Sequence, residues 1–410
     1  MKATFGHIAD IHIGNYPGKV EKGGINSRFV DFVKTYNESI DKMIKDDVDF
    51  VVMPGDIFRN KTPTPDETDA FADGLIRLQE ANIPTAIILG NHDTFLSDKK
   101  SSSISVVGKF FDFAKRKGAI SENMFYLSSK PEIVTLKTKA GDIQIQSMPY
   151  PIRTVLRLET VKDVEDYVVK TIDEVYETRD KSKPIMFMGH FSIRDALVGG
   201  EQMNFDKFAE PVISKSVFEG KDYLYVAMGH LHKYQVFINK PLGAYCGSNN
   251  RVDFNEAKED KGFIEVNIDG DRVKHRFVKV DARKFCDLKY DLTKEKDPQK
   301  VILKDINSKL DEIKNSIVRL TVTLSEEGKD GYNVEGVVDI LEEHCYSIHG
   351  SCIPIVKKEK EDRDLSGFNE GMSMMDAVKH YAEVKKVRDE VSFMRISEEI
   401  IKKIGENNEL

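Results

Sequence analysis

Ten histidines occur in the 410 residues, and five of them stand just past short apolar runs, together with aspartate and asparagine. Phe5 to Ala9 leads into Asp10-Ile11-His12, and Asp49 to Met53 into Pro54-Gly55-Asp56. Thr85 to Leu89 leads into Gly90-Asn91-His92-Asp93, Pro184 to Met188 into Gly189-His190, and Leu224 to Met228 into Gly229-His230-Leu231-His232. A lone histidine is usually a satisfied core or surface group; five at the ends of apolar runs are poorly explained that way. Mixed nitrogen and oxygen donors suit Mn²⁺, Fe²⁺ or Zn²⁺, whereas oxygen-only sites suit Mg²⁺ or Ca²⁺. There are more donors than one ion takes. Two ions about 3.5–4 Å apart, sharing a carboxylate, form the arrangement that hydrolyses phosphoesters. No nucleophile elbow, glycine-rich phosphate loop or dinucleotide fingerprint competes with that chemistry.

Each apolar run reads as a buried strand. Glycine ends several of them where the chain must turn tightly. Polar groups just beyond a buried strand are where open α/β sheets place their ligands, so the five strands are expected to deliver these residues to one edge of one sheet. Helical stripes recur between them: Phe29 to Lys45, Pro65 to Ala81, Ser103 to Lys117 and Thr160 to Glu177. Alternation of strand and helix implies a sheet covered on both faces. Residues 222–280 read as strands alone, with a hairpin signal at Asp269-Gly270. A mixed half followed by an antiparallel half suggests two facing sheets, hence an α/β chain with an αββα sandwich.

The character changes near Lys284. A strand over 287–292, a helix over 298–313, a strand over 316–324, a helix over 334–344 and a strand over 346–356 make a small α/β module. Residues 357–369 are polar and charge-dense and read as a linker. Two amphipathic helices are expected beyond, from Met372 to Val384 and from Val391 to Ile404. The expected boundaries are 1–282, 283–356, 357–371 and 372–410. Short helices with wide apolar stripes need a covering surface, either a partner or their own domain.

The formal net charge of −8 argues against general electrostatic attraction to DNA, whose usual footprint is basic. It does not exclude a nuclease, because metal-site carboxylates add to the negative count. No apolar run reaches the roughly 18 residues of a membrane span, and Met1 to Phe5 lacks a signal-peptide core. The four cysteines show no CxxC spacing. A reducing, cytoplasmic setting with no membrane contact is expected.

Taken together, Asp10-X-His12, Gly55-Asp56, Gly90-Asn91-His92-Asp93, Gly189-His190 and Gly229-His230-X-His232 resemble the five signatures of calcineurin-like metallophosphoesterases. More narrowly, the chain resembles the SbcD-type nuclease subunits of DNA-repair complexes in bacteria and bacteriophages. That likeness rests on Gly55 to Phe58, Gly229 to Gln235, Tyr245 to Phe254 and Lys261 to Phe263. It implies a metallophosphoesterase sandwich with a small α/β capping domain and a C-terminal helical tail. It also implies two Mn²⁺ ions, with Mg²⁺ possible. Asp10, His12, Asp56 and His232 would hold the first, and Asn91, His190 and His230 the second, with Asp56 bridging. His92 would act at the scissile phosphate and Asp93 would orient it. A histidine usual three residues after the bridging Asp is replaced here by Arg59, a cation that can hold phosphate but cannot shuttle protons. The implied activity is Mn-dependent exonuclease and endonuclease cleavage of DNA in double-strand-break processing and recombination. The implied partners are DNA, an SbcC-type ABC ATPase docked on the tail, and a second copy of the chain, in a bacterial cell or a phage-infected host. Two rival readings remain. One is another dinuclear phosphoesterase: a nucleotidase, cyclic-nucleotide phosphodiesterase or protein phosphatase. The other is a structural partner whose site is spent.

Overall fold

A computed structural model describes residues 1–21, 23–94, 102–121, 124–194, 196, 210–357, 372–385, 387 and 389–406. Two six-stranded sheets face each other. The first runs Arg272–Lys279, Gly262–Asp269, Lys2–His7, Phe50–Pro54, Thr85–Ile88, Phe125–Ser128. The second runs Gln235–Asn239, Leu242–Tyr245, Tyr223–Gly229, Ile185–His190, Gly141–Met148, Glu132–Thr138. The five ligand-bearing strands are therefore shared between two sheets, three in the first and two in the second, and do not line one edge of one sheet. Nor do the mixed and antiparallel halves of the chain form one sheet each. Gly262–Asp269 pairs antiparallel with Lys2–His7, from Lys2 opposite Asp269 to His7 opposite Ile264, and so closes the first sheet.

The reason for the sandwich lies in its apolar faces. Phe50–Pro54 and Ile185–His190 are buried at every position, as expected of strands covered on both sides. Between the sheets Phe5 stacks on Phe50 with centroids 4.6 Å apart and meets the Tyr225 ring edge-on at 5.5 Å. Helices Ser27–Lys45, Pro65–Glu80 and Ser105–Arg116 cover the outer face of the first sheet through Tyr36, Ile40, Phe71, Leu75 and Val107. Helix Val161–Glu177 covers the second through Val164, Val168 and Ile172. Each such side chain, fully buried, contributes about 1.5–3 kcal/mol. Capping boxes at Thr64/Glu67 and Thr160/Asp163 fix where two of these helices begin.

A third sheet, built on parallel strands Phe285–Asp291 and Ile317–Ser325, has its own core with Ile302, Ile306, Val337 and Leu341 from helices Pro298–Ser308 and Val334–His344. The helix expected over 298–313 is two, the second being Leu310–Ile313. The strand expected over 346–356 is interrupted between Ser347–Ile348 and Ile355–Lys357, where Gly350 turns the chain at φ 80°. Helices Met374–Lys385 and Glu390–Glu406 pack on each other, with the Tyr381 and Phe393 rings 6.2 Å apart. Met374, Val391, Ile396 and Ile400 remain exposed. The expected linker, apart from Lys357, and the last four residues of the tail lie outside the described residues.

Candidate metal centre

Strand register brings the five motifs together. His7 pairs with Val52, Pro54 with Ile88, and Gly229 with His190, so every motif leaves its strand at the same end of the sandwich. The turns that follow are sharply bent. Among described residues eight non-glycines have positive φ, and four of them are Asp10, His12, Asp56 and His230. Such backbone is costly and concentrates at functional sites. The glycines of the motifs are required by close approach. A Cβ on Gly90 would stand 2.1 Å from Asp56 Oδ1, and one on Gly229 would stand 2.1 Å from the Pro54 carbonyl oxygen.

The side chains converge on two adjacent positions. At the first, His12 Nε2 and His232 Nε2 face each other at 3.0 Å, beside Asp10. At the second, Asn91 Oδ1 lies 3.1 Å from His190 Nε2 and 3.2 Å from His230 Nδ1. Asp56 stands between: its Oδ2 is 3.6 Å from His12 Nε2 and 3.4 Å from His190 Nε2. Asp10, His12, Asp56 and His190 are buried. Buried carboxylates need paired charge or a metal. Several donor atoms aimed at one another, with their other sides already bonded, fit a cation at each position.

Those other sides set the tautomers. His190 Nδ1 donates to the Pro54 carbonyl at 2.7 Å, and His92 Nδ1 to the Arg59 carbonyl at 2.7 Å. His232 Nδ1 donates to Glu256 at 2.8 Å, and His230 Nε2 meets Glu210 at 2.5 Å. In each case one nitrogen is held and the other faces the centre. Burial would raise the Asp56 carboxyl, but the His190 and His12 charges outweigh it and keep it well below the usual carboxylate range. Burial alone would lower His190, yet Asp56 holds it up at about 9. The negative field that retains a proton there is also the field that attracts a cation, and binding one would release that proton.

Asp93 and Arg59 have partners of their own. Asp93 does not touch the His92 ring. Its buried carboxylate accepts from the amides of Ile57 at 3.1 Å, Phe58 at 3.4 Å and Gly90 at 3.0 Å, tying the Asp56 turn to the Asn91 turn. Burial, then the nearby Asp56 charge, push its carboxyl up to about 6. Arg59 does not point its guanidinium at the metal positions. The group lies over the Tyr16 ring, 4.0 Å from the centroid, and donates to the Asn15 carbonyl, while the Arg59 carbonyl receives His92. His92 also groups with His12 and Asp56 closely enough to offer a ligand atom.

Glu210, Glu256 and Tyr150, whose ring lies 5.8 Å from that of His230, were not foreseen; Ser248 and Lys261, read above only as part of the family likeness, also stand around the histidines. The block Tyr245 to Phe254 is explained by its bonds. Asn249 donates to Ser39 Oγ at 2.8 Å and Asn250 to the Asp31 carbonyl at 2.9 Å, fastening the site loop to the first helix.

Two carboxylates and five imidazoles gathered at the strand ends of an αββα sandwich define a metal-dependent phosphoesterase, and the chain belongs to the calcineurin-like phosphoesterase family, which it matches over residues 3–234. Among curated relatives it is similar to the DNA double-strand break repair protein Mre11 of Methanococcus maripaludis, 25% identical over 294 residues, covering 68% of this chain and 66% of that protein. Mre11 of Archaeoglobus fulgidus is 25% identical over 311 residues, covering 69% and 60%. The SbcD component of the nuclease SbcCD of Staphylococcus saprophyticus is 20% identical over 277 residues, covering 66% and 67%. The chain thus spans about two thirds or less of the length of these relatives. Among the described residues no helix is long and apolar enough to cross a membrane.

Proposed function

We propose that this chain is the nuclease subunit of an SbcCD-like complex that processes DNA double-strand breaks, hydrolysing DNA phosphodiester bonds with two Mn²⁺ ions. The observation that carries the two-ion reading is Asp56 Oδ2, placed between His12 and His190. The similarity to proteins named Mre11 and SbcD supports DNA as the substrate. Asp10, His12, Asp56 and His232 would hold one ion and Asp56, Asn91, His190 and His230 the other; such ions would supply Lewis-acid charge at the phosphate and activate a water for attack. Imidazole donors favour Mn²⁺ over Mg²⁺. As an imidazolium, His92 would keep its Nδ1 proton on the Arg59 carbonyl and give its Nε2 proton to the departing oxygen, becoming neutral. Asp56 Oδ1 accepts the His92 amide at 2.9 Å, so the shared carboxylate of one turn is bonded to the backbone of the acid on the next.

We assign residues 1–282 to the nuclease domain, 283–356 to a cap, and the helices beyond the linker to docking on an SbcC-type ATPase. The exposed apolar side chains of the tail support that docking. Exposed Ile76, Val106 and Phe110 on neighbouring helices support a homodimer. The discriminating experiment compares Mn²⁺-dependent hydrolysis of linear duplex DNA, nucleotides, cyclic nucleotides and phosphopeptides. Cleavage of duplex DNA is expected to dominate. Turnover of a nucleotide or phosphopeptide with intact DNA would replace this reading by another dinuclear phosphoesterase.

A further inference from the structure

We propose that Glu256 is a positioning residue for the first metal position: clamped by Lys261 and Ser248, its carboxylate sets the ring of His232 so that Nε2 faces Asp10 and His12. The inference rests on the metal reading above and adds to it a residue outside the five motifs. Glu256 Oε1 is 2.8 Å from His232 Nδ1. An ionised carboxylate only accepts, so Nδ1 must carry the proton, and in the neutral ring Nε2 is then the lone pair. On that side Nε2 lies 3.0 Å from His12 Nε2 and groups with Asp10.

The second oxygen of Glu256 is held so that the carboxylate cannot turn. Oε2 receives Ser248 Oγ at 2.9 Å, the Val252 amide at 3.2 Å and Lys261 Nζ at 2.6 Å. Lys261 also donates to the backbone carbonyl of His232 at 3.1 Å and to Ser248 Oγ at 2.8 Å. The ammonium therefore holds both the histidine's own backbone and the group that orients its ring. Glu256 and Lys261 are only 3% and 2% exposed, and a buried ion pair of this kind contributes little or nothing to net stability compared with an apolar pair. Its value lies in direction. His190 and His92 are held by neutral carbonyls, whereas His232 has a carboxylate behind it, which also makes the imidazole a more basic ligand.

The test is metal binding by the full chain, measured by calorimetry and Mn²⁺ electron paramagnetic resonance, with melting temperature alongside. Wild type should take up two Mn²⁺; fewer would defeat the two-ion reading itself and leave the role of Glu256 to be judged on whichever ion binds at His232. In Glu256→Gln, one of the two sites should weaken about 10–100-fold, the usual effect of removing the group behind a metal-bound histidine. The other site should stay within threefold. Glu256→Gln combined with Lys261→Met removes the buried ammonium, which would otherwise keep Glu259 as its carboxylate partner at 3.0 Å, and should show the same selective loss even if the single variant folds poorly. Glu256→Asp, one methylene short of Nδ1, should not restore the site. Affinity unchanged from wild type at both sites in the variants would overturn the proposal. Parallel weakening of both sites together with a large drop in melting temperature would overturn it too, by showing a merely structural role.

Discussion

Asp93→Asn should loosen two ligand loops with one atom changed. The wild-type carboxylate is fully buried and accepts from three backbone amides: Ile57 and Phe58, just past Asp56, and Gly90, just before Asn91. An amide side chain keeps one acceptor oxygen and turns the other position into a donor facing a donor. At least one buried N–H is left without a partner, which costs about 1–3 kcal/mol, and the surviving bonds lose their ionic component. The sum is about 2–3 kcal/mol. For a domain of this size 1 kcal/mol moves the melting temperature by about 2–4 °C, so the drop should be about 4–12 °C. Because the same bonds tie the turn of Asp56 to that of Asn91, Mn²⁺ affinity should fall with stability. The assay is thermal melting with and without Mn²⁺, paired with calorimetric titration. A variant that melts within 1 °C of wild type and binds two ions with unchanged affinity would refute the idea that Asp93 ties the loops together.

Five further outcomes are expected. Asp56→Asn should lose at least one ion and nearly all hydrolysis, while His92→Asn should keep both ions and cut about 10²–10⁴-fold more slowly; metal counting by mass spectrometry separates the two roles. His7 is buried against Tyr225 and Met228, and burial lowers it to about 3 from an ordinary 6.5. Below pH 6.5 the unfolded chain therefore binds a proton that the folded chain refuses, so this stability is complete above pH 6.5 and is lost as pH falls toward 3. At pH 5 the loss is about 2 kcal/mol; His7→Gln should flatten that part of the pH dependence in denaturant titrations, and an unchanged slope would exclude His7 as its source. Phe110→Glu should abolish the dimer seen by light scattering at tens of micromolar chain, and a monomeric wild type would remove the basis for that interface. Deleting residues after Glu361 should preserve metal binding and intrinsic cleavage but abolish co-purification with an SbcC-type ATPase; full ATPase binding by the truncated chain would place the contact elsewhere.

The sequence by itself determined the chemistry. Apolar runs ending in Gly-Asp, Gly-Asn-His-Asp or Gly-His pin polar groups to strand ends, because the strand period and the tight turn are local properties. Helix limits were legible for the same reason: Thr64 and Thr160 cap through residues three positions on. Tertiary structure decided what local pattern cannot encode. That the five strands divide between two sheets depends on pairing across hundreds of residues, as in His7 opposite Ile264. The partners of the histidines were decided the same way. Glu256 reaches His232 from 24 positions along the chain, and Lys261 reaches the carbonyl of that histidine from 29. Asp93 adjoins His92 in sequence, and in the fold its carboxylate accepts from amides 35 and 36 positions away. Neighbours along a turn need not share a direction, since the backbone bends between them and each side chain goes where a buried donor awaits an acceptor.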